Sequence, residues 1–333
     1  MRLSLVSLAS LLAVGCTDLD AARAPVVYGA DDRLEVYEAP PGVHRQLAER
    51  AIAVQLDVGD LDRRDPSDVR LSYTQTLGES YALCEDVRYA DQIDPGTCSG
   101  TLIGDRHLLT AGHCVSGPDD CDGASWPWVF GFSYEAAGRL RRLSSDDVYF
   151  CTRAIVLRDD ASADYAVVEL DRPVAGRAPA AIGGPRPIGA RVTLIGHPNG
   201  IPMKIAGNAT IRDAIGIELY ADVDAFFGNS GSGVFDDAGE VVGILVAGAP
   251  EDYRRRRGGG GCNEVFVIDP VPDGDGETLT AIAPVIAAFC ATPGIVSAAC
   301  GAAPPDAGVD AASPALDAAS PGADAASPGA DGA

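Results

Sequence analysis

Three short stretches carry residue types that could do chemistry together. GNSGSG (228–233) sets Ser230 among glycines, in a tight turn between two apolar runs. TAGHC (110–114) places His113 behind small residues that let the backbone turn tightly, so that the imidazole points out of a sheet rather than into it. DYAVVEL (164–170) opens an apolar run with Asp164, a carboxylate at a strand end where it can sit beneath an imidazole. A serine hydroxyl is a poor nucleophile at neutral pH. It becomes a good one when an imidazole takes its proton and a carboxylate holds that imidazole in the right tautomer. A Gly/Ser cluster alone is usually just a turn, so the reading rests on all three stretches.

Groups of this kind need a scaffold that brings distant segments together. The chain has 333 residues and short Val/Ile/Leu-rich runs separated by Gly, Pro, Asp and Asn. That pattern predicts an all-β protein with many turns and a core that is easily buried. The net charge of −23 argues against nucleic-acid binding, which needs Lys/Arg stripes to replace phosphate counterions. Beyond Cys16 there are eight cysteines: Cys84, Cys98, Cys114, Cys121, Cys151, Cys262, Cys290 and Cys300. An even number without any C-x-x-C pair suggests disulfides in an exported chain, not a zinc site. No metal or cofactor is expected.

The two ends read differently from the middle. Residues 1–15 have a basic start (Arg2), an apolar stretch from Leu3 to Val14 and small residues before Cys16, the pattern of a secretory signal. With Cys16 at the new N-terminus it resembles a bacterial lipoprotein signal, although Ala13 stands where Leu is usual. Membrane attachment would then run through a lipidated Cys16, and the alternative is an ordinary signal that happens to contain a cysteine. From 301 to 333 the chain repeats DAASP every seven residues, at Asp310, Asp317 and Asp324. A proline in each repeat and almost no large apolar side chain predict a disordered acidic tail. Residues 278–305 carry no charge, yet Pro284, Pro293, Gly294 and the Ala-rich content favour a short amphipathic helix packed on the domain over a membrane span. The folded domain is expected over 26–300.

TAGHC, DYAVVELDRPV and GNSGS, in that order, resemble the chymotrypsin-like serine peptidases, above all the bacterial branch that includes the glutamyl endopeptidases. The likeness runs from about Val26 to Phe289 and includes VVYGADDRLEV and GHPNGIPMKI (196–205). It implies two packed six-stranded antiparallel β-barrels with the active site between them. It implies a catalytic set of His113, Asp164 and Ser230, with the backbone N–H groups of Gly228 and Ser230 as oxyanion donors. The enzyme would be a serine endopeptidase acting on protein or peptide substrates, a monomer, either secreted or held in the cell envelope. Where regulated trypsin-like relatives carry an Asp before the nucleophile to capture a new N-terminus, this chain has the uncharged Asn229, so that switch is expected to be absent. The family's histidine-loop bridge implies Cys98–Cys114. Cys121 with Cys151 is the next pairing expected, leaving Cys290, Cys300, Cys84 and Cys262.

For specificity, the family places the residue six before the nucleophile, Asp224, at the base of the primary pocket, which in a trypsin-like enzyme selects Arg or Lys. GILVAG (243–248) would form a pocket wall, including Gly248, with Leu245 where glutamyl endopeptidases have a carboxylate-reading histidine. RRRRGGGG (254–261) reads as a solvated loop near the cleft rim that could draw in acidic substrates. Among rivals to Asp164, the residues Asp159, Asp160 and Asp171 do not directly precede the apolar run, and the G-N-S-G-S order favours Ser230 over Ser232. His107 reads as a surface-turn residue, His197 as part of a Gly/Pro loop and His44 as an N-terminal residue without a visible partner. The competing functions are an inactive homologue that binds peptides and a surface adhesin, the latter supported only by the acidic tail.

Overall fold

The computed structural model describes residues 26–117, 119–248, 251–258, 260–269 and 276–301. The signal segment 1–15, Cys16 and the repeats beyond Gly301 lie outside the described residues.

The short apolar runs and Gly/Asx turns fold as two closed antiparallel barrels of six strands each. The first is built from β1 (Ile52–Gln55), β2 (Cys98–Leu102), β3 (His107–Thr110), β4 (Pro127–Phe130), β5 (Val148–Asp160) and β6 (Ala163–Leu170). Around the ring they pair in the order β5-β6-β3-β2-β1-β4, and β4 returns to β5. The second holds β7 (Arg191–Gly196), β8 (Lys204–Ile215), β9 (Glu218–Ala221), β10 (Gly233–Phe235), β11 (Glu240–Ala247) and β12 (Glu277–Ala281). Its order is β11-β10-β7-β8-β9-β12, closed by β12 on β11. Closure leaves neither sheet with a free edge.

Several strands are buried along their whole length instead of alternating. In β6 the run Ala166–Val168 is fully buried because one face fills the first barrel and the other packs against the second barrel and the C-terminal helix. That helix, Ile282–Ala291, buries Ile282, Val285, Ile286 and Phe289. It confirms the short packed helix over the uncharged 278–305 stretch, and among the described residues no helix is long and apolar enough to cross a membrane. The interior of the second barrel is a separate cluster that includes Val192, Leu194, Ile211, Val234, Val242 and Leu279.

Four disulfides are formed: Cys98–Cys114 and Cys121–Cys151, the two pairings expected, and Cys84–Cys262 and Cys290–Cys300 among the four cysteines the sequence left open. Cys84–Cys262 spans the greatest separation, 178 residues, and ties the hairpin formed by Tyr253–Arg255 and Asn263–Val265 to the segment after the short helix Leu77–Tyr81. In a chain-entropy account, closing a loop of this length is worth on the order of 5 kcal/mol.

Candidate active site

The two barrels meet at a cleft of about 620 Å³ whose walls include His113, Ser230, Phe227, Gly228, Leu245 and Gly248. His113 stands in a single 3₁₀ turn, Gly112–Cys114, that follows directly from β3. Gly112 is required there. A Cβ at this position would lie 1.8 Å from the carbonyl oxygen of Arg158 on β5, so no larger residue lets the turn approach that strand. The close approach sets the turn against Asp164, near the tip of the β5–β6 hairpin where Asp159 pairs with Asp164 and Asp160 with Ala163.

Asp164 divides its two oxygens between different jobs. Oδ1 accepts from the backbone N–H of Gly112 (2.5 Å) and of His113 (3.2 Å), and Oδ2 lies 2.6 Å from His113 Nδ1. The two backbone donors fix the carboxylate's rotamer, and the ring nitrogen takes the oxygen that is left. From the second barrel, Thr280 Oγ1 donates to the Asp164 carbonyl at 2.8 Å, which ties the carboxylate's own backbone across the interface. The hydrogen bond that His113 donates to Asp164 raises the His113 pKa above its usual 6.5; partial burial opposes this, and the charges of Asp164 and Asp159 add to it. With Nδ1 held, Nε2 lies on the opposite side of the imidazole, available to a hydroxyl.

Ser230 sits in the turn 228–232, where Gly228 (φ 78°) and Gly231 (φ 81°) adopt the left-handed conformation that glycine tolerates. A Cβ on Gly228 would come within 2.6 Å of Gly200 N, and one on Gly231 within 2.3 Å of the Ser99 carbonyl oxygen. Ser99 on β2 organises the turn from the first barrel. Its N–H donates to the Ser230 carbonyl (2.8 Å), its Oγ donates to the Gly228 carbonyl (2.8 Å), and Thr110 Oγ1 donates to its own carbonyl (2.8 Å). The Cys98–Cys114 bridge comes close to both nucleophile and base. Cys114 Sγ is 3.7 Å from the Ser230 carbonyl oxygen and within 4.8 Å of a His113 ring nitrogen. Both sulfurs are spent in the disulfide, so this cluster is not a set of thiolate ligands for a metal.

The N–H groups of Gly228 and Ser230 have no acceptor among the described residues. Each is aimed by the carbonyl of its own peptide, because N–H and C=O point in opposite directions across a trans peptide. The Phe227 carbonyl accepts from Asn199 N–H, and the Asn229 carbonyl accepts from Ser232 N–H at 2.8 Å. Two free donors fixed in this way can stabilise negative charge that develops on a bound carbonyl oxygen. The Asn229 side chain accepts from Ser232 Oγ at 3.3 Å and carries no charge for an ammonium.

The specificity residues divide. Leu245 and Gly248 line the cleft. Asp224 does not: it is 3 % exposed, and its carboxylate accepts from the backbone N–H of Tyr28 (2.9 Å) and of Asp32 (3.1 Å). Burial pushes its pKa up to about 7. The Asp224 assignment is therefore corrected: the side chain secures the 28–32 segment instead of facing the cleft. The acidic side chains that do line the cleft are Asp94, Asp252 and Glu277, the last with Oε2 packed against Gly248. Nothing in the local sequence of Glu277 separates it from any other strand carboxylate.

The arginine run is largely exposed, with Arg254, Arg255 and Arg257 open to solvent. None of Arg254–Arg257 lines the cleft; Arg254 and Arg256 pair with Glu264, and Arg256 also with Asp86. Of the remaining histidines, His107 is buried at the start of β3 with its ring edge-on to Phe289 at 5.0 Å, not in a surface turn. His197 lies in its loop as expected but fully buried, with Nδ1 3.1 Å from the Ile201 carbonyl, and burial pushes its pKa down to about 3. His44 has a partner after all, the Asp236 carbonyl, 2.8 Å from its Nε2.

Residues 98–244 match the family model of the trypsin-like peptidase domain. An uncharacterized protein of Sinorhizobium fredii, y4fB, is 30 % identical over 241 residues, covering 63 % of this chain and 34 % of that protein. The chain thus spans about a third of the length of that relative. Among solved structures, it is similar to a Glu endopeptidase in complex with MPD, at 18 % identity and a TM-score of 0.43, covering 67 % of this chain and 88 % of that one. It is also similar to the active form of the Rv3671c protease from M. tuberculosis, at 16 % identity and a TM-score of 0.44, covering 83 % and 93 %.

Proposed function

We propose, from the premise that the chain carries a trypsin-like peptidase domain over residues 98–244, that it is a serine endopeptidase working through His113, Asp164 and Ser230. One observation carries the reading: the 2.6 Å contact of His113 Nδ1 with Asp164 Oδ2, in a cleft that also holds Ser230. In the mechanism this supports, Ser230 Oγ attacks the scissile carbonyl carbon while His113 Nε2 takes the hydroxyl proton. The carbonyl oxygen becomes negative and is met by the N–H groups of Gly228 and Ser230. His113 then gives the proton to the leaving amine, and an acyl-enzyme remains on Ser230. Water repeats the sequence with the acyl group and restores the free serine.

The test is labelling by a fluorophosphonate probe. The wild-type protein is expected to label, and Ser230→Ala protein is not. A folded wild-type protein that fails to label would instead be a peptide-binding homologue or an adhesin. A peptide library then reads the preference. Three acidic side chains and no Lys or Arg line the cleft among the described residues, which favours cationic substrate side chains over acidic ones. Cleavage mainly after Asp or Glu would overturn that part.

We further propose that the peptidase acts outside the cytoplasm, attached through Cys16. The four disulfides favour an oxidising compartment. Radiolabelled fatty acid should enter the full-length chain during growth in a bacterial host and be absent from Cys16→Ser protein. Equal labelling of both would remove the anchor from the proposal.

A further inference from the structure

The oxyanion turn needs a lock. Its Phe227–Gly228 peptide can aim the Gly228 N–H at substrate only while the Phe227 carbonyl points the other way. The uncharged Asn229 cannot fix the turn through a buried ammonium pair. The structure shows a different set of contacts on that peptide.

Two bonds hold Phe227, and two more hold the groups that make them. Its carbonyl accepts from the backbone N–H of Asn199, and its own N–H donates to Asp252 Oδ2 at 3.1 Å. The same Oδ2 accepts from Asn199 Nδ2 at 2.5 Å, and Asn199 Oδ1 accepts from Tyr253 Oη at 2.7 Å. Both polar ends of the Asn199 amide are therefore held by neighbouring residues of one segment, 252–253. Asn199 is 5 % exposed and Asp252 4 %. Asn199 also adopts φ 50°, in the left-handed region that asparagine tolerates better than most side chains. The side-chain bonds hold it there, and that backbone conformation presents its N–H to Phe227. Asn199 and Asp252 both reach the wall of the cleft.

We propose that Asp252 and Asn199 are positioning residues that lock the Phe227–Gly228 peptide, so that the oxyanion donor is set without a captured N-terminus. The proposal rests on the serine-peptidase reading of the same site. One Asp252 oxygen holds the two segments together: it ties the N–H side of Phe227 to the side chain of Asn199, whose main chain ties the C=O side. Removing that oxygen frees the Phe227 N–H directly and loosens the Asn199 that holds the Phe227 C=O. The reacting atoms are left in place, and of the cleft wall only the nearly buried Asp252 carboxylate is lost.

The test compares purified full-length variants by kcat, KM and the rate of fluorophosphonate labelling. Deleting an oxyanion donor costs roughly 10²–10³ in kcat, and loosening one should cost less. Asp252→Ala is expected to lower kcat and the labelling rate roughly 10- to 100-fold. KM should stay within a few-fold. Asp252→Asn is expected to retain most of both rates, because one amide oxygen can still accept from Phe227 N–H and Asn199 Nδ2. Asn199→Asp sets two carboxylates face to face and should behave like Asp252→Ala. It also serves as the second variant if Asp252→Ala does not fold. A folded Asp252→Ala or Asn199→Asp protein with wild-type kcat and labelling rate overturns the lock, whatever happens to its melting temperature. Wild-type protein that neither cleaves nor labels sinks the serine-peptidase reading instead, so the two failures are distinguishable.

Discussion

Ser230→Ala protein is expected to hydrolyse peptides about a million-fold more slowly than wild type, the scale seen when a nucleophile is removed from a unit of this kind. His113→Ala should lose about as much. The double variant should lose hardly more than either single one, because a base with no hydroxyl to deprotonate contributes nothing and the converse also holds. The Ser230 side chain makes no hydrogen bond among the described residues, and the turn is held through its backbone by Ser99. Ser230→Ala should therefore melt close to wild type, and lost rate can be assigned to chemistry instead of folding. Single-turnover assays with mass-spectrometric detection give the needed range. Hydrolysis by Ser230→Ala within tenfold of wild type would end the serine-peptidase reading, and additive losses in the double variant would show that His113 is not the base for Ser230.

The parts of this site that could be read from the sequence are those whose chemistry is local. Gly112 beside His113, and Gly228 and Gly231 around Ser230, are needed where an added Cβ would come within 3 Å of other backbone, and such positions leave glycines in the sequence. The barrels were legible for a related reason. Short apolar runs punctuated by turn residues must find partners, and closure satisfies both edges. Asp164 could be picked out because a carboxylate heading an otherwise apolar strand has no packing role there.

Long-range contacts leave no such trace. Ser99 is one serine of many, and only the meeting of the barrels gives it the Gly228 and Ser230 carbonyls to hold. Thr280 reaches Asp164 across 116 residues, and Asp252 reaches Phe227 across 25. Asp224 was misplaced because counting back from the nucleophile fixes a position along the chain but not the direction of a side chain. Its neighbours Ala225 and Phe226 line the cleft, while the bond from Ala225 N–H to the Val26 carbonyl brings the 26–32 segment alongside. That segment supplies two N–H donors, and the Asp224 carboxylate turns to them. His107 was misread because the polar turn before it suggested exposure, whereas the strand already begins at His107 beneath Phe289.

Asp164→Asn should show two effects at once, a lower plateau and a displaced pH profile. The backbone N–H groups of Gly112 and His113 both point at Oδ1. In the variant they will keep the amide oxygen, which leaves the NH₂ facing His113 Nδ1. Nδ1 must then accept, so the proton moves to Nε2, the nitrogen that has to receive the Ser230 proton. With the wrong tautomer favoured, the plateau of kcat/KM should fall by about 10⁴. The base works only as neutral imidazole, so in the wild type kcat/KM should rise with pH through a His113 pKa above 6.5. The bond and charge from Asp164 are the main reasons for that elevation. Replacing the carboxylate by an amide leaves burial, which favours the neutral ring, and the weaker charge of Asp159. The acid limb should therefore move to lower pH, even as the maximum falls. Alanine at 164 would free Gly112 and His113 N–H together and mix these effects with a reshaped turn, so asparagine is the cleaner probe. A plateau within tenfold of wild type, or an acid limb that does not move down, would show that Asp164 neither selects the tautomer nor sets the basicity of His113.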